Sequence, residues 1–299
     1  MAGGSYVVLR NRGLMTVTGE DAGRFLQGLI SNDIEKLATD RAIYAAFLTP
    51  QGKYLHDFFI ARIGETPYLD CEAGRLDDLR RRLCMYKLRS KVSVEAAGDG
   101  FVVAALFGPG AIGALGLDRE PGRAAPFAGG VVYVDPRLAA VGARAILPAD
   151  VAATALEEAG FAAAEAAAYD RLRLTHGLPD GSRDLAVEKA MLLENNFDEL
   201  NGIDWDKGCY LGQELTARIY YRGLVKKRLM PVEIEGPPPE IGTQVMLGDR
   251  NVGEMRSALD GQGLALLRLE AVAEAEREGR ALTAGRARLK PRKPDWASF

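Results

Sequence analysis

The chain has few side chains that hold metals. Among its 299 residues there are two histidines, His56 and His176, and three cysteines, Cys71, Cys84 and Cys209. No Cys or His pair has zinc-ligand spacing. Four cysteine ligands for an iron–sulfur cluster are not available within one chain, so no metal site is expected. An odd, widely spaced cysteine set excludes a disulfide framework and fits a reducing compartment. No apolar run approaches the roughly 20 residues of a membrane span. A formal charge of −3 lacks the clustered cationic excess on which a general nucleic-acid binder depends. The opening, Met1 to Arg10, has no charged start, apolar core and cleavage site, and is too short and too poor in Ser and Arg for a mitochondrial presequence. These absences predict a cytoplasmic chain with no membrane partner and no direct nucleic-acid partner.

What is present is ordinary for a globular protein: 47% hydrophobic and 26% charged residues, with length for two or three domains. Met15–Thr18 reads as a strand, Ala22 to Ile30 as a helix with Phe25, Leu26 and Leu29 at helical spacing. Ile43 to Leu48 and Tyr54 to Ile63 are β-prone runs joined by the hairpin residues Pro50-Gln-Gly-Lys53. A strand at Tyr68–Cys71, an amphipathic helix over Arg75 to Tyr86 and a strand at Lys91–Glu95 follow. The next section repeats that grammar without repeating the sequence: strands at Phe101–Phe107, Val131–Asp135 and Ala143–Leu147, then an Ala-rich helix capped by Asp150. Gly108 to Gly130 reads as a long loop. Hairpins mixed with helices predict an α+β class with antiparallel sheets. After Gly223, short strands split by Gly and Pro turns predict a small β-barrel or sandwich. The boundaries expected are 1–225, holding two lobes of roughly 1–98 and 99–225 that can interleave, and 226–299.

The chemistry concentrates in Lys207-Gly-Cys-Tyr-Leu-Gly-Gln-Glu-Leu-Thr-Ala-Arg218. Upstream, Leu192 to Leu200 reads as an amphipathic turn or helix stopped by Asn201-Gly202. Lys207 to Gly212 is a loop and Gln213 to Tyr220 a regular element leaving it. Gly208 and Gly212 flank the thiol, where a missing Cβ lets a backbone approach a ligand closely. Lys207 is expected to favour the Cys209 thiolate. A free cysteine is often simply a buried structural thiol, and that reading is expected for Cys71 and Cys84. Beside an amine, an amide and a carboxylate it fits Cys209 poorly.

The run Asn201 to Arg218 resembles the signature of the YgfZ-type folate-binding proteins, relatives of the glycine-cleavage T-protein (aminomethyltransferase) whose mitochondrial members help mature 4Fe-4S proteins. Phe25-Leu-Gln27 with Asp33, Leu48-Thr-Pro-Gln-Gly-Lys53, Arg171 to Pro179 and Gly263 to Arg268 extend the resemblance over nearly the whole chain. It implies an aminomethyltransferase-like fold of three lobes around a central cavity, two α+β lobes and a C-terminal barrel. It also implies a tetrahydrofolate or a derivative as cofactor, with partners among iron–sulfur assembly proteins or their apo-client enzymes. Any link to tRNA thiomethylation would run indirectly through a cluster enzyme.

Under that resemblance Cys209 is the functional thiol and Lys207 holds its thiolate. Glu194 accepts the pterin N–H donors, and Gln213 and Glu214 fix the loop. Gly208, Tyr210, Arg218 and Asp57 complete the folate contacts. The T-protein hairpin strand carries two consecutive acids; His56 stands at the earlier and Asp57 at the later, and Thr175 stands about where the T-protein has a pteridine-binding Glu. These departures weigh against aminomethyl transfer. The leading expectation is a folate-binding accessory factor of iron–sulfur cluster assembly or repair. A folate-dependent aminomethyl- or methyltransferase and a ligand-free scaffold are the alternatives.

Overall fold

The computed structural model describes residues 4–299. Apolar runs between turn residues form strands, because a pleated, half-buried surface accommodates Val, Ile, Phe and Tyr side chains. The chain divides into two compact units. The first comprises the chain up to Pro50, Leu55–Ala166 and Leu200–Gln213; the second comprises Gln51–Tyr54, Ala167–Glu199 and Glu214–Phe299.

Two sheets build the first unit. One orders Ile43–Leu48, Tyr54–Ile63, Thr66–Glu72, Arg12–Thr18 and Ser93–Ala96 side by side. The other orders Ala162–Ala163, Ser5–Val8, Phe101–Phe107, Ala143–Pro148, Gly130–Val134 and Ala124–Phe127. Its neighbours run antiparallel except Ser5–Val8 with Ala162–Ala163, which are parallel. Gly142 starts the 143–148 strand at φ +97°, and a Cβ there would lie 2.1 Å from the Leu106 carbonyl oxygen; glycine alone fits that approach.

The two sheets meet at a buried charge. Asp70 of the first sheet has no exposed surface. It accepts from Arg12 Nε at 2.6 Å and from Arg144 Nη2, on the second sheet, at 2.5 Å. Burial pushes the carboxyl up, but the two guanidiniums outweigh it and hold Asp70 below the usual carboxylate range. The Phe59 ring faces three guanidiniums, Arg144 at 4.0 Å, Arg137 at 4.8 Å and Arg12 at 5.7 Å from its centroid. Arg137 is itself paired with Asp135 at 2.8 Å.

In the second unit, strands Lys227–Glu235, Gln262–Arg268, Arg250–Leu259, Gln244–Leu247, Leu282–Ala284 and Ala287–Pro291 close a barrel in that order. Val232, Met255, Leu267, Leu282 and Leu289 fill its core. Closure leaves no free strand edge. Arg173 of the helix Ala166–Thr175 donates to Asp184 Oδ2 at 2.7 Å, and Asp184 Oδ1 accepts from Ser257 of the barrel at 2.6 Å.

Four local expectations are corrected. The helix expected to reach Ile30 spans Ala22–Gln27, because the chain turns at Gly28 to deliver its carbonyls elsewhere. The segment 108–130 is structured: Ala111–Ala114 is helical, and Ala124–Phe127 forms a hairpin through Ala128 and Gly129, both at positive φ. Leu192 to Leu200 holds one 3-10 turn, Leu193–Asn195. It ends where Asn196 adopts φ +62° and donates Nδ2 to the Leu229 carbonyl at 2.8 Å, a side-chain bond that competes with helix. Leu269–Glu278 is a helix that the strand pattern concealed.

Asp70→Ala leaves two guanidiniums buried without their shared carboxylate, a loss of about 3–5 kcal/mol. Urea unfolding of wild type and variant should show that drop; a change within about 0.5 kcal/mol would mean the charges had found water.

Candidate functional site

The Lys207 loop is built onto the end of the helix Ala22–Gln27. A helix C-terminus leaves its last carbonyls without intrahelical donors. Here the 204–211 segment supplies donors. Lys207 Nζ donates to the carbonyls of Gln27 at 2.9 Å, Ile30 at 2.7 Å and Asn32 at 2.8 Å. The backbone N–H of Leu211 reaches Gly28 O at 3.0 Å, and that of Asp204 reaches Ser31 O at 3.1 Å. Side chains add to the join. Ser31 Oγ donates to Gly202 O at 2.5 Å, and Asn32 Nδ2 to Asn201 O at 2.8 Å and Tyr44 O at 2.7 Å. Asp204 Oδ1 accepts the backbone N–H groups of Asp206 and Lys207, and its other oxygen pairs with Lys36.

Lys207 therefore does not act as the sequence predicts. All three protons of its ammonium are committed to carbonyls, and Nζ lies 5.1 Å from the Tyr210 ring centroid. The expected role of holding the Cys209 thiolate is replaced by one of anchoring the loop. Burial pulls its pKa down to about 8, with Asp33 and Asp204 opposing, so the cation persists at neutral pH.

Between the buried neighbours Lys207 and Tyr210, Cys209 is exposed and its thiol is free. Nothing lies within 4 Å of a Cβ built at Gly208, so that glycine leaves open space beside the thiol. Gly212, at φ +78°, turns the chain into the helix Gln213–Tyr221. Gln213 closes the loop, its Oε1 accepting the Tyr210 N–H at 3.3 Å and its own N–H donating to Tyr210 O at 3.2 Å. Glu214, expected to fix the loop, instead points outward with its side chain 91% exposed and, among the described residues, reaches Arg218 at 3.9 Å. Cys71 is buried, and burial pushes its thiol up to about 12. Cys84 was expected to pack as well; it is exposed.

Asp57 and His56 point to opposite sides of their strand. Asp57 is buried and accepts from Tyr44 OH at 2.9 Å, and Arg137 lies 5.5 Å from the Tyr44 ring. His56 contacts Asp78 of the helix Leu76–Lys87 at 3.0 Å. Burial and then Arg75 push its pKa down to about 4 against the pull of Asp78.

Glu194 and Arg218 belong to the second unit. Glu194 is half-buried, and burial raises its carboxyl, with Lys227, Lys53, Arg256 and Arg268 opposing. Among the described residues no hydrogen bond or ion pair engages it. Arg218 is half-exposed. His176 is half-buried, and its carbonyl accepts from Trp296 Nε1 at 2.8 Å. Among the described residues no group of three or more His, Cys, Asp or Glu forms a metal-binding cluster.

The Arg12–Asp70–Arg144 cluster beside Asp57 was missed. Its signal was present: Asp70 and Arg144 stand inside otherwise apolar strands, Tyr68-Leu-Asp-Cys71 and Ala143-Arg-Ala-Ile-Leu147, where a charge needs a partner.

Comparison with known proteins places this geometry. Residues 9–116 match the GCVT N-terminal domain and residues 226–299 the CAF17 C-terminal beta-barrel domain. The fold is that of the glycine cleavage system aminomethyltransferase T from Bartonella henselae, with a TM-score of 0.79 over 99% of this chain and 87% of that one at 18% identity. The chain is thus an aminomethyltransferase-like α+β protein ending in a closed six-stranded barrel. Human "Iron-sulfur cluster assembly factor IBA57, mitochondrial" is 33% identical over 99% of this chain and 86% of its own length. The mouse protein of that name is 34% identical over 88% and 77%. The chain belongs to this IBA57 family of iron–sulfur cluster assembly factors. The cytoplasmic expectation is overturned, because these relatives are named as mitochondrial. A sparse, widely spaced cysteine set does not distinguish one reducing compartment from another.

Lys207→Met removes the three donors and leaves buried carbonyls unanswered, at about 1–3 kcal/mol for each such group not reached by water. Amide exchange at residues 204–211 should accelerate; unchanged exchange would show that the backbone bonds suffice. His56 yields a pH signature. Its folded pKa of about 4 lies below the unfolded value of about 6.5, so the unfolded chain binds more protons between the two. Its stability contribution is therefore complete above pH 6.5 and is lost as pH falls through 4. His56→Asn should flatten the stability slope over that window, and an identical slope in both proteins would refute the assignment.

Proposed function

We propose that the chain is a tetrahydrofolate-binding accessory factor in the assembly or repair of 4Fe-4S clusters, with Cys209 as its functional thiol and the cluster as cargo. The observation that carries this reading is the exposed Cys209 between two buried residues, on a loop fixed to backbone carbonyls by Lys207. A thiol held this way is available to a partner in one position and costs little ordering on contact. Membership of the IBA57 family supplies the cargo and the partner class: iron–sulfur assembly proteins or apo-clients.

The residues fit a folate. Glu194 is a half-buried carboxylate with no partner among the described residues, ready to accept the paired N–H donors of a pterin. Four cations in its surroundings within the same unit, Lys53, Lys227, Arg256 and Arg268, suit the acidic end of the same molecule. When bound, tetrahydrofolate supplies a carrier for one-carbon units. Asp57, Tyr210, Gln213 and Arg218 remain candidate contacts, and the 1–225 region is proposed as the folate-binding part, with 226–299 as the barrel that adds Lys227, Arg256 and Arg268 near Glu194. An accessory role is favoured over aminomethyl transfer because the first of the two strand acids is His56, turned to Asp78 and held neutral.

Thermal melts with tetrahydrofolate test this directly. At a hundredfold excess over its dissociation constant the ligand should stabilise wild type by about 2.7 kcal/mol. Cys209→Ala should keep the shift and lose cluster delivery to an apo-protein, while Glu194→Gln should lose most of the shift. No shift in wild type would sink the folate assignment, and undiminished delivery by Cys209→Ala would sink that of the thiol.

A further inference from the structure

An open cleft of about 880 Å³ lies in the first unit, among its lining residues Arg24, Phe25, Gly28, Leu88 and Arg89. Gly28 is the residue whose carbonyl accepts from Leu211, so the cleft adjoins the anchor of the Cys209 loop. Its rim is unusual in two respects. Leu88 is 89% exposed and sits at φ 43°, ψ −109°. It is the second residue of a turn closed by Ser90 N–H to Lys87 O at 2.8 Å. That turn type favours glycine at this position, and a bulky residue there is strained. Met85, one turn earlier and outside the cleft lining, is also exposed, at 56%. The fold thus tolerates strain to present apolar side chains to solvent.

Charge is the second respect. Between Arg75 and Lys91 the sequence holds seven basic and two acidic side chains, in a chain whose formal charge is −3. Arg81, Arg82 and Arg75 are drawn to Asp78, and Lys91 to Glu20. Asp21, which also lines the cleft, accepts the Lys91 backbone N–H. Among the described residues Arg24, Lys87 and Arg89 have no carboxylate partner. Apolar anchors ringed by uncompensated cations are complementary to an acidic segment carrying an apolar side chain.

We propose that this cleft is a docking site for an acidic, apolar-tipped segment of a partner protein, seated on Leu88 between Arg24 and Arg89. The proposal deepens the accessory-factor reading by giving the partner of Cys209 a place to bind, yet docking is measured without folate or cluster. A nucleic acid would match the cations but not the exposed leucine.

The test selects a random twelve-residue peptide library on the immobilised full-length protein and measures the recovered peptides by fluorescence anisotropy. Recovered peptides should carry net negative charge with at least one large apolar residue and weaken with salt. Their affinity should fall about tenfold or more with Leu88→Gly and with Arg24→Glu/Arg89→Glu, the scale of an interface anchor. Leu88→Gly should keep or raise the melting temperature, since glycine accepts the turn, and should keep the folate-induced shift. That separates a failure here from a failure of the folate reading. Recovery of no peptides, of neutral or basic ones, or of peptides indifferent to both variants would overturn the proposal. So would a dimer in sedimentation that Leu88→Gly abolishes, or tighter binding of a mixed-sequence single-stranded RNA at the same residues.

Discussion

An ammonium buried under three carbonyls sets the position of the Cys209 loop. Taking a lysine cation out of water costs several kcal/mol unless its protons are answered. Lys207 has them answered by Gln27, Ile30 and Asn32 at 2.9, 2.7 and 2.8 Å. Those carbonyls follow a helix whose dipole already favours a cation at that end. Lysine suits the place better than arginine would: a compact charge with three divergent donors matches three carbonyls that converge from one turning backbone, whereas a planar fork suits carboxylates. The loop is thereby registered to main chain, which shifts less than side chains do.

That registration extends to the other candidate groups of the first unit. Asn32 gives its Nδ2 to Tyr44 O as well as to Asn201 O, and Tyr44 in turn gives its hydroxyl to Asp57. Ser31 accepts from Ala46 N–H while donating to Gly202 O. The thiol loop and the buried carboxylate are thus tied to neighbouring positions of one strand, Ile43–Leu48. Such chains of satisfied buried polar groups are rigid because breaking any member strands its neighbours.

Local pattern disclosed the elements and the identity of the loop. Ile43–Leu48 and Tyr54–Ile63 follow directly from apolar runs flanking Pro50-Gln-Gly-Lys53, and five of the six barrel strands from short runs between glycines. Cys209 stands out in the sequence by its polar neighbours, two of which, Lys207 and Gln213, the structure gives to holding the loop. What could not be read is long-range. Lys207 meets Ile30 across 177 residues, and Arg144 meets Asp70 across 74. A charged residue announces that it needs a partner, but spacing does not say where the partner lies. In sequence Lys207 pairs with its neighbour Cys209, whereas its neighbours in space are carbonyls. Cys84 failed for the opposite reason: a small apolar residue beside Met85 reads as core, yet that face of the helix points outward.

The shared fold with an aminomethyltransferase does not carry the chemistry with it, because function resides in the site. At the strand where the T-protein resemblance places two acids, one position is His56, turned away to Asp78 and neutral at physiological pH through burial. The other, Asp57, is enclosed and already holds the Tyr44 hydroxyl. A general acid or base must reach the proton it moves, and neither group in this arrangement is free to do so without rearrangement. The exposed and positioned group is the Cys209 thiol instead. The strand thus holds Asp57 inward while the loop holds the Cys209 sulfur outward, and the cleft lined by Leu88, Arg24 and Arg89 shares Gly28 with the backbone that anchors that loop.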